Sequence, residues 1–354
     1  MRQLLFMLGM IVWGFSLQSC KGDEPKPEEE DFDRAAMFQN MATNVILPSY
    51  ASFAEKLSSF QGAFDAFKST SSEANLAALR SAFDQVYLSW QQCAPYEFGP
   101  AASVGLRLTV NMFPADTNRV HTLLGMDDYD LAMSSNSAAK GLPALDFVLF
   151  QLNPDRLSEA MTQEFIQQNI VMMSGALTSV EEEWKQSYQD EFQTSLGSDV
   201  GSSLGSFVNA VNQDFELLKN ANVGIPLGKK TLGIIQPEKV EALFSAQSLP
   251  LLIQHLQSLK IAFNGNTGLG LDDHLDALDA TYGTRSLSDA IQMGFDDAIA
   301  SAEAIEGDLF EAIAQSPSQV EDLHSKLQNL VVLLKTDMPS QLGVQITYQD
   351  NDGD

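Results

Sequence analysis

This chain holds two cysteines, Cys20 and Cys93. If Cys20 is spent elsewhere, as argued below, no internal disulfide can form, and Cys93, following Trp90 in an apolar helical stretch, reads as a small buried hydrophobe. Histidines are also few, at positions 121, 255, 274 and 324. They are scattered, and Asp272, Asp273 and Asp276 are wrongly spaced to share a helical face with His274. The expectation is single surface histidines and no zinc protease motif. Bases are scarce: 20 Lys and Arg stand against 47 acids, for a formal charge of −27. So negative a surface repels phosphate backbones and excludes nucleic acid as a partner. It also opposes passive adhesion to anionic lipid. Sustained Val/Ile/Thr alternation with hairpin turns is missing, which excludes an all-β fold. There is no P-loop and no dinucleotide fingerprint.

What is present begins at the N-terminus. Arg2 precedes an almost wholly apolar run over residues 4–17, followed by Leu17-Gln18-Ser19-Cys20. The run is too short for a stable span and reads as a secretory signal peptide over residues 1–19. Leu at −3, Ser at −1 and Cys at +1 resemble a bacterial lipobox, which makes Cys20 the lipidated first residue of the mature chain. Residues 20–34 then form an acidic tether broken by Pro25 and Pro27. Such a segment cannot build a core. Its acidity after the Cys resembles a surface-export signal. The expected location is the outer membrane, held by the lipid anchor, with a surface-facing orientation open.

The remainder reads as helices, because apolar residues recur at three- and four-residue intervals. Such patterns cover 35–67 with a break at Pro48, 73–93, 159–196, 201–218, 238–263, 271–304 with a break near Tyr282-Gly283, and 320–334, stopped by Pro339. The fold class expected is all-α, with two packed helical-bundle halves at 35–197 and 198–340 and an acidic tail at 341–354. With 44% hydrophobic residues, a large core is available.

Four stretches depart from generic helix: Trp-Gln-Gln-Cys-Ala-Pro-Tyr-Glu-Phe-Gly-Pro at 90–100, Asn-Met-Phe-Pro-Ala-Asp at 111–116, Gly-Leu-Pro-Ala-Leu-Asp-Phe-Val-Leu-Phe at 141–150, and Pro237 to Ser248. In the third, Pro143 suits the first turn of a helix. The helix is apolar all round, so it should be buried, and Asp146 is its one charge. A buried carboxylate must meet a partner: an Arg, with Arg107 and Arg119 as candidates, backbone N–H groups, a cation or a proton. Glu97 and Asp116 lie beside aromatic, Pro or Gly residues where a loop can face a cleft. Glu241 is read as opening an amphipathic helix, where the helix dipole favours an acid. Together with Asp146 these acids would make a carboxylate cluster suited to hard cations and ferric iron.

The order and wording of these stretches resemble the imelysin, or M75 peptidase-like, family. Its signature is Gly-x-His-x-x-Glu with an apolar tail ending in Leu-Phe. Gly141 matches the Gly, and Asp146-Phe-Val-Leu-Phe150 matches the Glu and its tail. Glu97-Phe-Gly-Pro100, Val240-Glu241 and Phe244-Ser245 also match, and the resemblance runs from about residue 36 to about 335. It implies an all-helical envelope lipoprotein tied to iron uptake, with iron or another divalent cation as cofactor, and an iron source or a surface protein as partner. The signature His is replaced by Pro143, which has no donor atom, and the Glu by the shorter Asp146. Peptidase chemistry therefore does not carry over. The expected function is binding of an iron source, metal or partner protein near Asp146, Glu97, Asp116, Glu241, Gly141 and Pro143. The alternatives are a structural or adhesive scaffold and, third, a metallopeptidase.

Overall fold

The computed structural model describes residues 32–348. The signal peptide, Cys20, most of the tether and the end of the acidic tail lie outside these residues. The architecture is all-α: among the described residues the one sheet is a two-residue ladder pairing Thr281 with Ser286 and Tyr282 with Arg285. Among the described residues, no helix is long and apolar enough to cross a membrane.

The chain opens with α1 (Arg34–Asn40), capped by Asp33, and passes through a π turn (Met41–Ile46) into α2 (Leu47–Ser69). The expected break at Pro48 takes this form: the π turn comes just before a residue that has no N–H to donate back along the helix. Ser72 caps α3 (Glu73–Cys93), accepting from the Asn75 N–H at 3.2 Å. A three-residue link, Thr70 to Ser72, forces α2 and α3 together as a hairpin. Their facing stripes carry Phe53, Phe60 and Phe64 against Phe83 and Trp90, with Phe53 to Trp90 at 5.6 Å and Phe60 to Phe83 at 5.7 Å.

Short helices follow: α4 (Pro100–Val104), α5 (Leu106–Val110) and α6 (Thr117–Leu123). The signature helix is α7 (Gly141–Gln151), buried over nearly its whole length. Pro154 opens α8 (Pro154–Leu157), and the long α9 (Ala160–Glu183) runs through a second π turn into α10 (Gln189–Thr194). Then come α11 (Ser203–Leu217), ending in a π turn (Leu218–Gly224), and α12 (Ser248–Asn264). The last helices are α13 (Leu271–Ala277), α14 (Leu287–Glu303), α15 (Leu309–Gln315), α16 (Pro317–Val332) and α17 (Met338–Leu342).

Two helical expectations are corrected. The pattern over 238–263 starts ten residues late, at Ser248. Residues 240–247 are turns instead, with Ala242 and Ala246 in the left-handed region at φ 48° and 56°. The N–H groups of Phe244 and Ser245 point at Asp146 rather than along a helix. Pro339 does not stop the last helix. It sits in the first turn of α17, where no N–H is required, and Gly343 at φ 68° ends it.

A second aromatic centre gathers on Phe98, whose ring lies 5.6 Å from Phe192, 5.9 Å from Phe207 and 6.1 Å from Trp184. It joins the loop after α3 to α10, α11 and the π turn after α9. Phe98→Ala should therefore cost about 3–5 kcal/mol of unfolding free energy, the usual range for a buried Phe truncation. Urea denaturation measures this, and a loss below about 1 kcal/mol would show that the centre is not carrying those elements.

Candidate functional site

Five separated segments deliver six polar side chains to one cavity of about 140 Å³. The last turns of α3 supply Gln91, α5 supplies Arg107, and the residue just past α5 is Asn111. The π turn after α11 supplies Asn222, the turn region after Lys239 supplies Glu241, and α12 supplies His255. A π turn widens the helix by a residue and so re-aims a side chain. Around the rim stand Leu108, Met112 and Leu217, all solvent-exposed, so a polar floor lies beneath an apolar mouth.

Glu241 is the centre of the floor. Its residue is 2% exposed, and three neutral amides donate to its carboxylate. The side-chain N–H groups of Gln91 and Asn111 donate to Oε1 at 3.1 and 2.7 Å, and that of Asn222 to Oε2 at 2.6 Å. Behind it, the Tyr87 hydroxyl donates to Asn111 Oδ1 at 2.9 Å, which orients the Asn111 amide. Burial pushes the Glu241 carboxyl up, while the Asn111 and Gln91 hydrogen bonds and the charges of His255 and Arg107 pull it back. The upward push prevails.

The second centre is Asp214 on α11, buried between Arg107 and His255. His255 Nε2 lies 2.6 Å from Oδ2 and the Arg107 guanidinium 2.5 Å from Oδ1. Burial raises this carboxyl, but His255 and Arg107 outweigh it and hold it below the usual range. Arg107 also donates to the Ala94 carbonyl, and its backbone N–H lies 3.1 Å from each oxygen of Glu97. Glu97 is raised by burial in spite of Arg107. Two buried atoms on the cavity wall have no hydrogen-bond partner among the described residues: Gln91 Oε1 and His255 Nδ1.

A neighbouring cavity of about 240 Å³ is lined by Pro143, Asp146, Val240, Ala242 and Phe244, and Phe113 lines both. Asp146 meets no arginine. It accepts from the Phe244 N–H and the Ser245 N–H, each at 2.9 Å. Of the two arginines expected there, Arg107 is committed to Asp214 and Arg119 donates to Asn136 at 2.7 Å. Burial lifts the Asp146 carboxyl to about 6, against these hydrogen bonds. Phe147, one residue on, packs between His121 at 5.0 Å and Phe244 at 5.1 Å and clamps the turn region onto α7. Gly141 has φ 74°, and a Cβ there would sit 2.4 Å from the Val110 carbonyl oxygen. Its N–H donates to Asn169 Oδ1 at 2.7 Å.

Of the acids singled out in the sequence, Asp146 and Glu241 become neighbours close enough for Glu241 to raise Asp146 further. Glu97 faces the other side of Arg107. Asp116 is exposed and caps α6, accepting from the Arg119 N–H at 2.9 Å. Glu241 opens no helix; amide side chains hold it, with no helix dipole in play. The expectation of surface histidines fails twice: His255 and His274 are both buried, the latter accepting from Arg34 Nε at 3.3 Å. Sequence reasoning missed Gln91, Asn111, Asp214, Asn222 and His255. The available signal was weak: Asp214 and His255 each interrupt an apolar helical run, as Asp146 does.

A metal ion does not fit the signature position. Pro143 offers no donor, both Asp146 oxygens are engaged, and among the described residues no three His, Cys, Asp or Glu stand together as a metal group.

Comparison with known proteins agrees with this geometry at the level of fold. The family model described as Imelysin (Peptidase_M75) matches residues 46–336. Iron-regulated protein A of Synechococcus elongatus is 26% identical over 140 residues, 40% of this chain and 36% of that relative. The match thus spans about a third of the relative's length. An imelysin-like protein from Psychrobacter arcticum superposes with TM-score 0.70 at 18% identity, covering 89% of this chain and 97% of the other. A putative iron-regulated protein A precursor from Parabacteroides distasonis gives TM-score 0.71 at 16% identity, covering 91% and 97%.

Two predictions follow from the buried acids. Glu241→Ala strands three buried amide donors, and should cost about 3 kcal/mol or more in urea denaturation. A loss under 1 kcal/mol would mean that water replaces the carboxylate easily. Asp146 is raised from the ordinary 3.8 to about 6, so between those values the native state holds a proton that the unfolded chain has lost. Its contribution to stability is therefore full below about pH 4 and is lost as pH rises through 6, at about 1.4 kcal/mol per unit of difference. Asp146→Asn does not titrate. Its Tm deficit against the native chain should shrink from pH 4 to pH 7, and a constant deficit would show that the acid is ionised throughout.

Proposed function

This chain belongs to the imelysin family, and we propose that it is a lipid-anchored envelope protein of iron acquisition that binds an intact iron source, without peptidase activity. The carrying observation is the Glu241 floor: a buried carboxylate, an unpartnered Gln91 Oε1 and an unpartnered His255 Nδ1 on one cavity wall beneath an exposed apolar rim. A buried polar atom without a partner costs free energy unless something arrives to meet it. His255 Nε2 is taken up by Asp214, which leaves Nδ1 as the ring atom open to a ligand. The Glu241 carboxylate and Gln91 Oε1 are acceptors, so the cavity suits a hydroxyl or ammonium arm. At about 140 Å³ it admits such an arm, not a whole chelate. The iron link rests on two relatives described as iron-regulated.

The absence of peptidase activity is read from Pro143 and from the engagement of both Asp146 oxygens, which leave the signature helix without a pair of metal ligands. The same observation supports a second reading, a scaffold in which the old signature helix has become a structural tie and no ligand is bound.

Calorimetric titration of residues 34–354 with ferrous ion, zinc, ferric citrate and haem separates these readings. Saturable heat with ferric citrate or haem, weakened at least tenfold by Glu241→Gln and retained in Asp146→Asn, is the expected result. Stoichiometric heat with the bare ions would replace intact binding by metal coordination. Silence with every ligand would leave the scaffold.

A further inference from the structure

Hydrogen bonding alone lets the cavity over Glu241 take a hydroxyl or an ammonium; the charges around it choose between them. Four acids stand in or around it. Glu241, Asp214 and Asp146 are each 2% exposed, and Glu97 is partly buried. The basic groups that pull the Glu241 carboxyl back down are His255 and Arg107, and both lie against Asp214. The three amides that donate to Glu241 satisfy its oxygens and bring no positive charge. An excess of acid in a dry interior is costly. Glu97, Asp146 and Glu241 are accordingly all pushed up toward the neutral form. An arriving cation corrects this balance, and an uncharged hydroxyl leaves it as it is.

The wall supplies an acceptor as well as charge. Gln91 is 1% exposed, and its Nε2 donates to Glu241. Turned over, the amide would set its oxygen against the carboxylate, so Glu241 fixes Oε1 as the end turned away. That oxygen has no partner among the described residues. The mouth is of opposite character. Leu108, Met112 and Leu217 line it and are 57%, 36% and 40% exposed. A bare metal ion would answer the charge and leave this apolar rim without an occupant. An alkylammonium answers both: it is charged at neutral pH, and its methylenes lie along apolar surface while the nitrogen seeks acceptors. Size sets the stem. A cavity of about 150 Å³ holds a benzene, which has about six heavy atoms. At about 140 Å³ this one holds a nitrogen on about four or five carbons.

We infer that the cavity over Glu241 is a socket for a primary alkylammonium group on an unbranched stem of about four or five carbons, its nitrogen beside Glu241 and Gln91 Oε1 and its methylenes against Leu108, Met112 and Leu217. The inference rests on the reading of this cavity as a binding site and names the group that enters it. Such a group arrives either as a free amine or as the tail of a ferric chelate whose body stays at the mouth.

The test titrates the full chain carrying Cys20→Ser in a calorimeter with n-pentylammonium and with n-pentanol, its uncharged counterpart. The ammonium should give saturable heat and bind at least tenfold more tightly than the alcohol. Glu241→Gln should weaken the ammonium at least tenfold, with circular dichroism checking the fold. Leu108→Lys, at an exposed rim position, should do the same by setting a like charge at the mouth while sparing the buried acids. Equal binding of alcohol and ammonium overturns the socket, and so does unchanged ammonium affinity in Leu108→Lys. The ferric complex of desferrioxamine B, a trihydroxamate ending in a free aminopentyl chain, separates the two sources. Its competition with pentylammonium, lost on N-acetylation, supports the socket and assigns it to a chelate's tail. Pentylammonium binding with every ferric complex silent supports the socket, assigns it to a free amine and removes the iron reading. Silent pentylammonium beside saturable heat from ferric citrate or haem overturns the socket and leaves the iron reading.

Discussion

A carboxylate inside a protein must be met, and the centre of this fold is arranged around meeting several at once. Each solution is different. Asp214 takes an arginine and a histidine, Glu241 takes side-chain amides, Asp146 takes two backbone N–H groups, and Glu97 takes one backbone N–H backed by a nearby arginine. The differences decide the charge each acid holds. Asp214 is pressed below its ordinary range, whereas Glu241, Asp146 and Glu97 are pushed up. One arginine, Arg107, ties two of these acids together through separate parts of the same residue, its guanidinium and its backbone nitrogen.

The turn region after Lys239 is the physical link between the two cavities. Glu241 faces one, Val240 and Ala242 line the other, and the next two peptide N–H groups close on Asp146. A helix there would have consumed those N–H groups internally and left Asp146 bare. The left-handed Ala242 and Ala246 show the backbone cost of that choice. The interior acid and the irregular backbone therefore explain each other.

The fold was legible because long helices announce themselves: Leu76, Leu79, Phe83, Val86 and Trp90 on α3 repeat at helical spacing, and all of them are buried. Legibility failed where the backbone answered to a distant partner. The pattern over 238–247 is amphipathic enough to suggest a helix, and only Asp146, about a hundred residues earlier, explains why it is none. Asp146 was legible as a buried charge in an apolar run, and Glu241 through its motif. Asn111, Asn222 and Gln91 were not, since amides at helix ends and turns are ordinary in sequence and acquire meaning only when they converge. The histidines misled for a related reason: isolation along the chain says nothing about the acid waiting on another helix.

Gly141 answers to a different constraint from its companions in the signature. Its place is dictated by steric closeness to the Val110 carbonyl, which no side chain tolerates. Positions 143 and 146 answer to donor chemistry. The glycine is therefore kept by shape alone, whatever side chains stand at positions 143 and 146.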